Sequence, residues 1–366
     1  MVRVGIVGGG QLGRMLALAG HDLGIACTTL DPTGGSPAAQ VAPAVVGAYD
    51  DREALLDLAE RADVVTYEFE NVPVASAHLL AGRGVRVAPP PIALEVAQDR
   101  LAEKTLFTEI GLPVPMFAAV DDLASLQAAI DAVGLPAVLK TRRLGYDGKG
   151  QALLHQRELA EDAWRSIGEV PAILEAFVPF DRELSILGAR DPAGRTAFWP
   201  LVQNHHRDGI LRLSEAPAAD VEPALQAAAE AHASALMERL AYVGVLAIEL
   251  FQTGSGLQGN EFAPRVHNSG HWTIEGSETS QFEQHLRAVC GLPLGPVDMR
   301  GRAAMVNLVG FVPRTEDVLA VPGAHLHLYG KQPRPGRKVG HVTIRTDQLE
   351  ALRRSLVQVQ GLLADA

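Results

Sequence analysis

Two glutamates and an asparagine carry the most pointed chemistry in this chain. Glu249 lies in the apolar run "VLAIELF", and Glu261 follows twelve residues later, next to Asn260. A carboxylate among apolar neighbours has to be paired or neutralised, because burying it alone costs several kcal/mol. The intervening "QTGSGLQG" has the glycine and polar content of a tight turn around Thr253–Gly256, so a hairpin would carry both carboxylates to one mouth. Two carboxylates and an amide oxygen form a hard-oxygen set suited to Mg²⁺, or Mn²⁺, with water and substrate phosphates completing the shell. The structural alternative is that one glutamate simply pairs with Arg265. Spacing alone leaves the two readings even.

Four other segments offer polar groups in patterns that bear on small anions. "NEFAPRVHNSGHWT" crowds Arg265, His267, Asn268 and His271 beside the carboxylates, a set able to hold an anion and stabilise developing negative charge. The loop Arg142–Gly150 sets Gly145, Gly148 and Gly150 around Tyr146, Asp147 and Lys149, and its N–H groups can cradle phosphates. It is not a Walker A sequence, and a plain surface turn is the bland alternative. Lys140 closes the preceding strand as a point charge within reach of that loop. In "KQPRPGRKVGH", Lys331, Arg334, Arg337 and Lys338 gather where proline and glycine forbid a basic helix; a solvated loop or a single phosphate monoester site fits this pattern. Finally, Gly8, Gly10 and Gly13 fit G-x-G-x-x-G, and Asp31 ends the next apolar run, as in a dinucleotide site.

These segments must be positioned by a chain of 366 residues, long enough for two or three domains. A content of 47% hydrophobic and 20% charged residues reads as globular. The balance of 43 acidic to 32 basic residues, a formal charge of −11, argues against nucleic acid or anionic membranes as partners. Two cysteines, Cys27 and Cys290, build no disulfide framework, and no apolar run is long enough to span a bilayer. The start resembles a first strand more than a secretion signal, so a cytoplasmic protein is expected. Of the 32 basic residues only five are lysine, Lys104, Lys140, Lys149, Lys331 and Lys338, and four of them fall in the two glycine-containing basic segments.

Hydrophobic periodicity gives the coarse order of elements. Residues 1–98 alternate strand (2–7, 25–30, 64–67, with a short apolar 85–87) and helix (11–23, 51–61), an open parallel βαβ sheet. Prolines in "APPPIALEVAQDR" end that unit and start a helix. A helix over 99–110, a helix over 123–133 and strands at "PAVLK", "QALLH", "AILEAFV", "RELSILGA" and "TAFWPLV" follow. An alanine-rich helix over 221–240 precedes the hairpin, and the tail holds "AMVNLVGFV", "HLHLYG" and a terminal helix.

In this order, "GGGQLGRML", "QDRLAEKTLF", "GYDGKGQ", "GYVGVLAIE", "NEFAPRVHNSGHWT" and "RPGRKVGH" together resemble the ATP-grasp enzymes, and among them the carboxylating aminoimidazole ribonucleotide synthases of purine biosynthesis. The resemblance covers nearly the whole chain. It implies an α/β fold with α+β parts: an N-terminal βαβ domain (1–98), a two-subdomain ATP-grasp unit (99–296, its mobile part about 115–190) and a small C-terminal β-rich domain (297–366). It assigns ATP to Arg100, Lys140, Gly145, Tyr146, Asp147, Gly148, Lys149, Gly150, Glu175, Ala176, Phe177, Val178, Glu183, His206, Asn260 and Glu261. Glu175 to Val178 would meet adenine and Glu183 the ribose. Magnesium falls to Glu249 and Glu261. Bicarbonate and carboxyphosphate fall to Arg265, His267 and Asn268, with Asp147 orienting or deprotonating the amine. The ribonucleotide falls to Glu68, Tyr146, Asp147, Lys331, Arg337 and Lys338. A homodimer is implied, and Lys104 matches a helix lysine without a role. Two departures stand out: Lys149 replaces an arginine of some relatives, and Gly259 replaces an apolar strand residue, which would loosen the strand presenting Glu261. A nicotinamide oxidoreductase on the glycine loop and a non-catalytic nucleotide-binding module are the competing readings.

Overall fold

The computed structural model describes residues 2–143, 145 and 150–364. Strands β1 (Arg3–Val7), β2 (Ala26–Asp31), β3 (Ala44–Val46) and β4 (Val64–Tyr67) pair in parallel in the order β3-β2-β1-β4. Their apolar runs are buried on both faces, as a parallel sheet covered by helices requires: Val4, Ile6, Val7, Leu30, Val64 and Val65 lie in the core. Helix Gln11–Asp22 packs Leu12, Met15 and Leu16 inward. The expected strand at 85–87 is reduced to one parallel bridge from Val65 to Val87.

Helix Arg100–Glu109 starts on Asp99, whose Oδ1 accepts the N–H groups of Leu101 and Ala102. The same carboxylate binds Arg142 at 2.7 Å and Arg143 at 2.9 Å, so the entry to the glycine loop is tied to that helix start. Strands β5 (Phe117–Val120), β6 (Ala137–Thr141), β7 (Gln151–Leu154) and β8 (Ala172–Ala176) form a second, antiparallel sheet in the order β5-β8-β6-β7. It has its own core with helices Leu123–Val133 and Ala160–Ser166.

The third sheet has nine strands: β9 (Arg182–Arg190), β10 (Thr196–Phe198), β11 (Val202–Arg207), β12 (Ile210–Ala216), β13 (Gly244–Thr253), β14 (Gly256–Ala263), β15 (Arg302–Val309), β16 (Ala324–Leu328) and β17 (Lys338–Thr346). Its order is β14-β13-β9-β11-β12-β15-β17-β16, with β10 beside β9, so the C-terminal strands extend the sheet that carries the hairpin. "TAFWPLV" is broken, contrary to the sequence expectation: β10 ends at Phe198, Trp199 is buried, and β11 begins at Val202. Strand β12, with its mixed composition, gave no clean alternation to read.

Register puts the chemistry on one face. Side chains alternate along a strand, and directly paired residues point the same way. Glu249 is paired with Glu261 on one side and Ser185 on the other, while Asn204 is paired with Glu183 and Ser214. The opposite face supplies Leu184, Ile186, Ile248, Leu250 and Phe262 to an apolar core beneath helix Pro223–Arg239. Toward the hairpin end these strands set polar groups on one face and apolar groups on the other; toward the far end both faces are buried, with Leu187, Ala189, Val245 and Ala247 in the core.

Candidate active site

The polar face floors a cleft of about 1230 Å³ whose walls come from all three sheets. Glu68, Arg100, Lys140, Gly145, Glu183, His206, Glu249, Asn260, Glu261, Arg265, His267, Asn268, Lys331, Arg337 and Lys338 all line it. Most of the sequence-predicted set is thus gathered around one cavity. Tyr146, Asp147, Gly148 and Lys149 lie outside the described residues. Gly150 and Glu175 to Val178 are off the cleft wall.

The hairpin is where spacing located it, and Glu249 and Glu261 are direct cross-strand partners. Between Leu250 and Glu249 the register shifts, because Leu250 pairs with Gly259 and Glu249 with Glu261. Asn260 is therefore the extra residue of a β-bulge, and the bulge re-aims the strand end that bears Asn260 and Glu261. Neither glutamate pairs with Arg265. Arg100 Nη1 lies 3.0 Å from Glu261 Oε2, and Arg265 Nε instead binds Glu70 Oε2. Burial, reinforced by the Glu261 carboxylate, pushes the Glu249 carboxyl up to about 7, against the pull of His206 and Lys338. Two carboxylates held side by side with too little positive charge make a place where a cation is favoured. Among the described residues no group of three or more His, Cys, Asp or Glu side chains is arranged for a metal, so a cation here would need non-protein ligands.

Gly259 does not loosen its strand. Its N–H donates to the Pro113 carbonyl at 2.7 Å, and its own carbonyl accepts from Lys104 Nζ at 3.2 Å. A Cβ there would lie 2.8 Å from Leu112 Cδ2 and 2.9 Å from Phe107 Cδ2. The apolar volume expected at 259 is supplied by those two neighbours, which explains the glycine.

Lys104 now has a place. Its ammonium is fully buried and donates to the carbonyls of Gly259 and Asn260, while lying 3.2 Å from Glu175 Oε2. Three N–H groups meet three oxygens. Glu175 also takes Lys140 Nζ at 3.1 Å, and despite burial the two lysines hold its carboxyl down at about 2. One oxygen of Glu175, Oε1, is buried without a hydrogen-bond partner among the described residues. The N–H groups of Ala176 and Phe177 are donated to the carbonyls of Met116 and Pro136. Nearby, burial lifts the Glu103 carboxyl to about 8, although it accepts the Phe262 N–H at 2.6 Å.

At the next strand His206 Nδ1 sits 2.8 Å from Glu183 Oε2. Burial works against the charged imidazole, yet the Glu183 hydrogen bond and the field of Glu249 raise its pKa overall. Across the cleft, burial opposes ionisation of Glu70, but Arg265 wins and holds it at about 2. Burial, assisted by Arg265, pushes His267 down to about 3. Asn268 exchanges amide hydrogen bonds with Asn307, at 3.1 and 2.7 Å. Sequence reading missed Glu70 and Asn307. Glu70 follows Glu68 at the carboxyl end of a parallel strand, the edge where ligand-binding groups collect, and Asn307 is the lone amide of an apolar strand; both were findable signals.

The glycine loop is already occupied by protein. Glu68 accepts the N–H groups of Gly10 and Gly13, each at 2.5 Å, at the start of helix Gln11–Asp22. These are donors that would face a pyrophosphate. A Cβ on Gly8 would fall 2.1 Å from Glu68 Cγ, and one on Gly10 2.3 Å from Glu68 Oε1. The glycines therefore make room for a carboxylate. Asp31 is engaged as well, accepting from Gly9 N–H, Thr33 N–H and hydroxyl, and Tyr49 OH. Lys331 reaches Gln11 Oε1 above this helix start, which brings the C-terminal basic segment onto the N-terminal sheet.

Comparison with known proteins agrees with this geometry. Residues 1–98 match the ribonucleotide synthetase preATP-grasp domain, residues 105–282 the ATP-grasp domain, and residues 303–355 the phosphoribosylaminoimidazole carboxylase C-terminal domain. The chain is 49% identical over 362 residues to the N5-carboxyaminoimidazole ribonucleotide synthase of Pseudomonas aeruginosa, covering 99% of each protein. It superimposes on the crystal structure of the Thermus thermophilus synthetase with a TM-score of 0.95 at 57% identity, covering 98% of both chains. The Aspergillus clavatus synthase, crystallised with ADP and 5-aminoimidazole ribonucleotide, gives a TM-score of 0.91 at 30% identity, covering 99% of this chain and 98% of that one. The chain therefore belongs to the N5-carboxyaminoimidazole ribonucleotide synthase family of ATP-grasp proteins.

Proposed function

We infer that this chain is an ATP-dependent ligase that joins bicarbonate to the amine of 5-aminoimidazole ribonucleotide, giving N5-carboxyaminoimidazole ribonucleotide, ADP and phosphate in purine biosynthesis. The observation that carries the reading is the Glu249–Glu261 pair. It lies on the floor of one cleft, between the cations Arg100 and Lys140 on one side and the Arg265, His267 and Lys331 groups on the other. Nucleotide phosphates suit the first side and an anionic acceptor the second.

Bicarbonate is a resonance-stabilised anion and a poor electrophile. Attack of its oxygen on the γ-phosphorus of ATP releases ADP and gives carboxyphosphate, a mixed anhydride. The ribonucleotide amine then attacks the carboxyl carbon, directly or as CO₂ freed in place, sheds a proton, and phosphate leaves. Lys140 and Arg100 balance the charge of the phosphates, and Arg265 with the Nε2 side of His267 holds the carboxylate. Mg²⁺ or Mn²⁺ fits the carboxylate pair, because a cation offsets the burial and the Glu261 repulsion that together raise Glu249, and when bound it would neutralise substrate phosphates. The Glu183–His206 pair, on the cleft wall, fits the ribose hydroxyls. Lys331, Arg337 and Lys338 supply a phosphate monoester site, with Glu68 at its base; Asp147, the proposed partner of the amine, lies outside the described residues.

Domain boundaries at 1–98, 99–296 and 297–366, a homodimer and a cytoplasmic location belong to the same proposal. No helix among the described residues is long and apolar enough to cross a membrane. The direct test is coupled ADP release with ATP, bicarbonate and aminoimidazole ribonucleotide each omitted in turn, and with formate replacing bicarbonate. Turnover that requires all three supports the assignment. Turnover independent of bicarbonate, or sustained by formate, overturns it.

A further inference from the structure

We propose that Ser185, Asn204 and Ser214 are positioning residues that lock His267 as a neutral imidazole with its proton on Nε2, so that it presents a hydrogen-bond donor to the cleft. The role at the cleft rests on the reading above of His267 as an anion-holding group; the tautomer does not.

The relay is continuous and buried. Ser214 Oγ donates to Asn204 Oδ1 at 2.8 Å, and Asn204 Nδ2 donates to Ser185 Oγ at 3.0 Å. Ser185 Oγ donates to Ser269 Oγ at 2.8 Å, and Ser269 Oγ lies 2.9 Å from His267 Nδ1. Ser185, Ser214 and Ser269 are 0% exposed and Asn204 is 4% exposed, so no solvent is available to replace a lost partner. A chain of hydroxyls and one amide can run in either direction, and reversing it would flip Asn204 and put the imidazole proton on Nδ1. One backbone group breaks that symmetry. The Ser269 N–H donates to His267 Nδ1 at 3.3 Å, and an N–H cannot donate to a nitrogen that carries its own proton. A proton on Nδ1 would set two N–H groups against each other at this contact, so a bare Nδ1 is favoured over both the other tautomer and the imidazolium. Ser269 Oγ, already accepting from Ser185, turns its proton toward Nδ1 as well.

The proton on Nε2 then points out of the relay. Glu249 Oε1 stands 3.5 Å from Nε2, and both side chains are on the cleft wall. His267 is also fixed from behind, since its N–H donates to Gln281 Oε1 at 2.8 Å and its carbonyl accepts from Gln281 Nε2 at 2.7 Å. A histidine held this way stabilises an oxygen that gains negative charge. It is not set up to take a proton from the substrate amine.

The experiment is long-range proton–nitrogen NMR of the full chain labelled with ¹⁵N-histidine, the His267 signals being assigned by their loss in His267→Asn. The result expected is a bare Nδ1 and a protonated Nε2 at neutral pH. In Ser185→Ala the second tautomer emerges, and kcat of bicarbonate-dependent ATP turnover falls about five- to tenfold, while KM for ATP moves by less than about twofold. Ser214→Ala, two links further away, does the same to a smaller degree. A wild-type signal with Nδ1 protonated, alone or with Nε2, overturns the proposal even if neither variant folds. So does a Ser185→Ala enzyme with unchanged kcat. A spectrum as expected in a protein without bicarbonate-dependent turnover supports the relay and removes the carboxylation reading instead.

Discussion

Lys104 is the residue whose removal tests the architecture of the site most severely. Replacing it with methionine keeps most of its volume and deletes only the ammonium, so cavity formation contributes little. What remains is a Glu175 carboxylate that has lost one of its two lysines, and the carbonyls of Gly259 and Asn260 without their buried donor. Breaking a buried ion pair from one side costs about 3–5 kcal/mol, and a buried carbonyl left unpaired adds about 1–3 kcal/mol. Lys140 still neutralises Glu175 from 3.1 Å, which keeps the sum near the lower figures, about 3–5 kcal/mol. For a chain of 366 residues, at about 2.1 cal/mol/K of unfolding entropy per residue, each kcal/mol moves the unfolding transition by roughly 1.3 °C, so a fall of about 4–7 °C is expected. Thermal unfolding followed by tryptophan fluorescence reads it directly, Trp199 and Trp272 being buried in the main core. The double variant Lys104→Met/Glu175→Gln should lose more still, since Lys140 is left without its carboxylate, but less than the sum of the single variants, because the shared Lys104–Glu175 pair is lost only once. A shift under about 2 °C for the single variant, or strict additivity in the double, would refute the reasoning.

Glu261→Gln keeps the shape of the hairpin but removes half of the cation pair and the partner of Arg100; steady-state turnover should drop by at least about a hundredfold with the unfolding temperature little changed, and robust activity would remove the cation assignment. Gly259→Ala drives a methyl into Leu112 and Phe107 and should cost about 1–3 kcal/mol in denaturant unfolding, whereas an unchanged midpoint would mean the neighbours give way freely. Glu70 is held at about 2 by Arg265 against an ordinary 4.5, so its contribution to stability is complete above about pH 4.5 and is lost as pH falls toward 2. In Glu70→Gln the acid limb of a urea-midpoint profile should flatten by at most about 3 kcal/mol, and an identical limb would show that the pair does not couple to folding.

The sequence by itself determined the paired carboxylates and the order of the elements. Glu249 and Glu261 could be placed side by side because a turn of glycine and serine leaves a hairpin little freedom of register. The motifs "APRVHNSGHWT" and "RPGRKVGH" carried the family because each is long and specific, whereas the three-glycine loop pointed equally well to a dinucleotide. What that loop does was decided elsewhere in the chain, by Glu68, 55 residues from Gly13 along the backbone. The partners of Arg265, Asn268 and Lys104 were decided in the same way, by Glu70, Asn307 and Glu175, which reach them from distant parts of the chain. Local spacing fixes neighbours along one strand or across one turn, since only a few dihedrals separate them. Which distant side chain completes a hydrogen bond or neutralises a charge depends on how whole sheets pack, and that is set by the summed burial of apolar faces that no single motif contains.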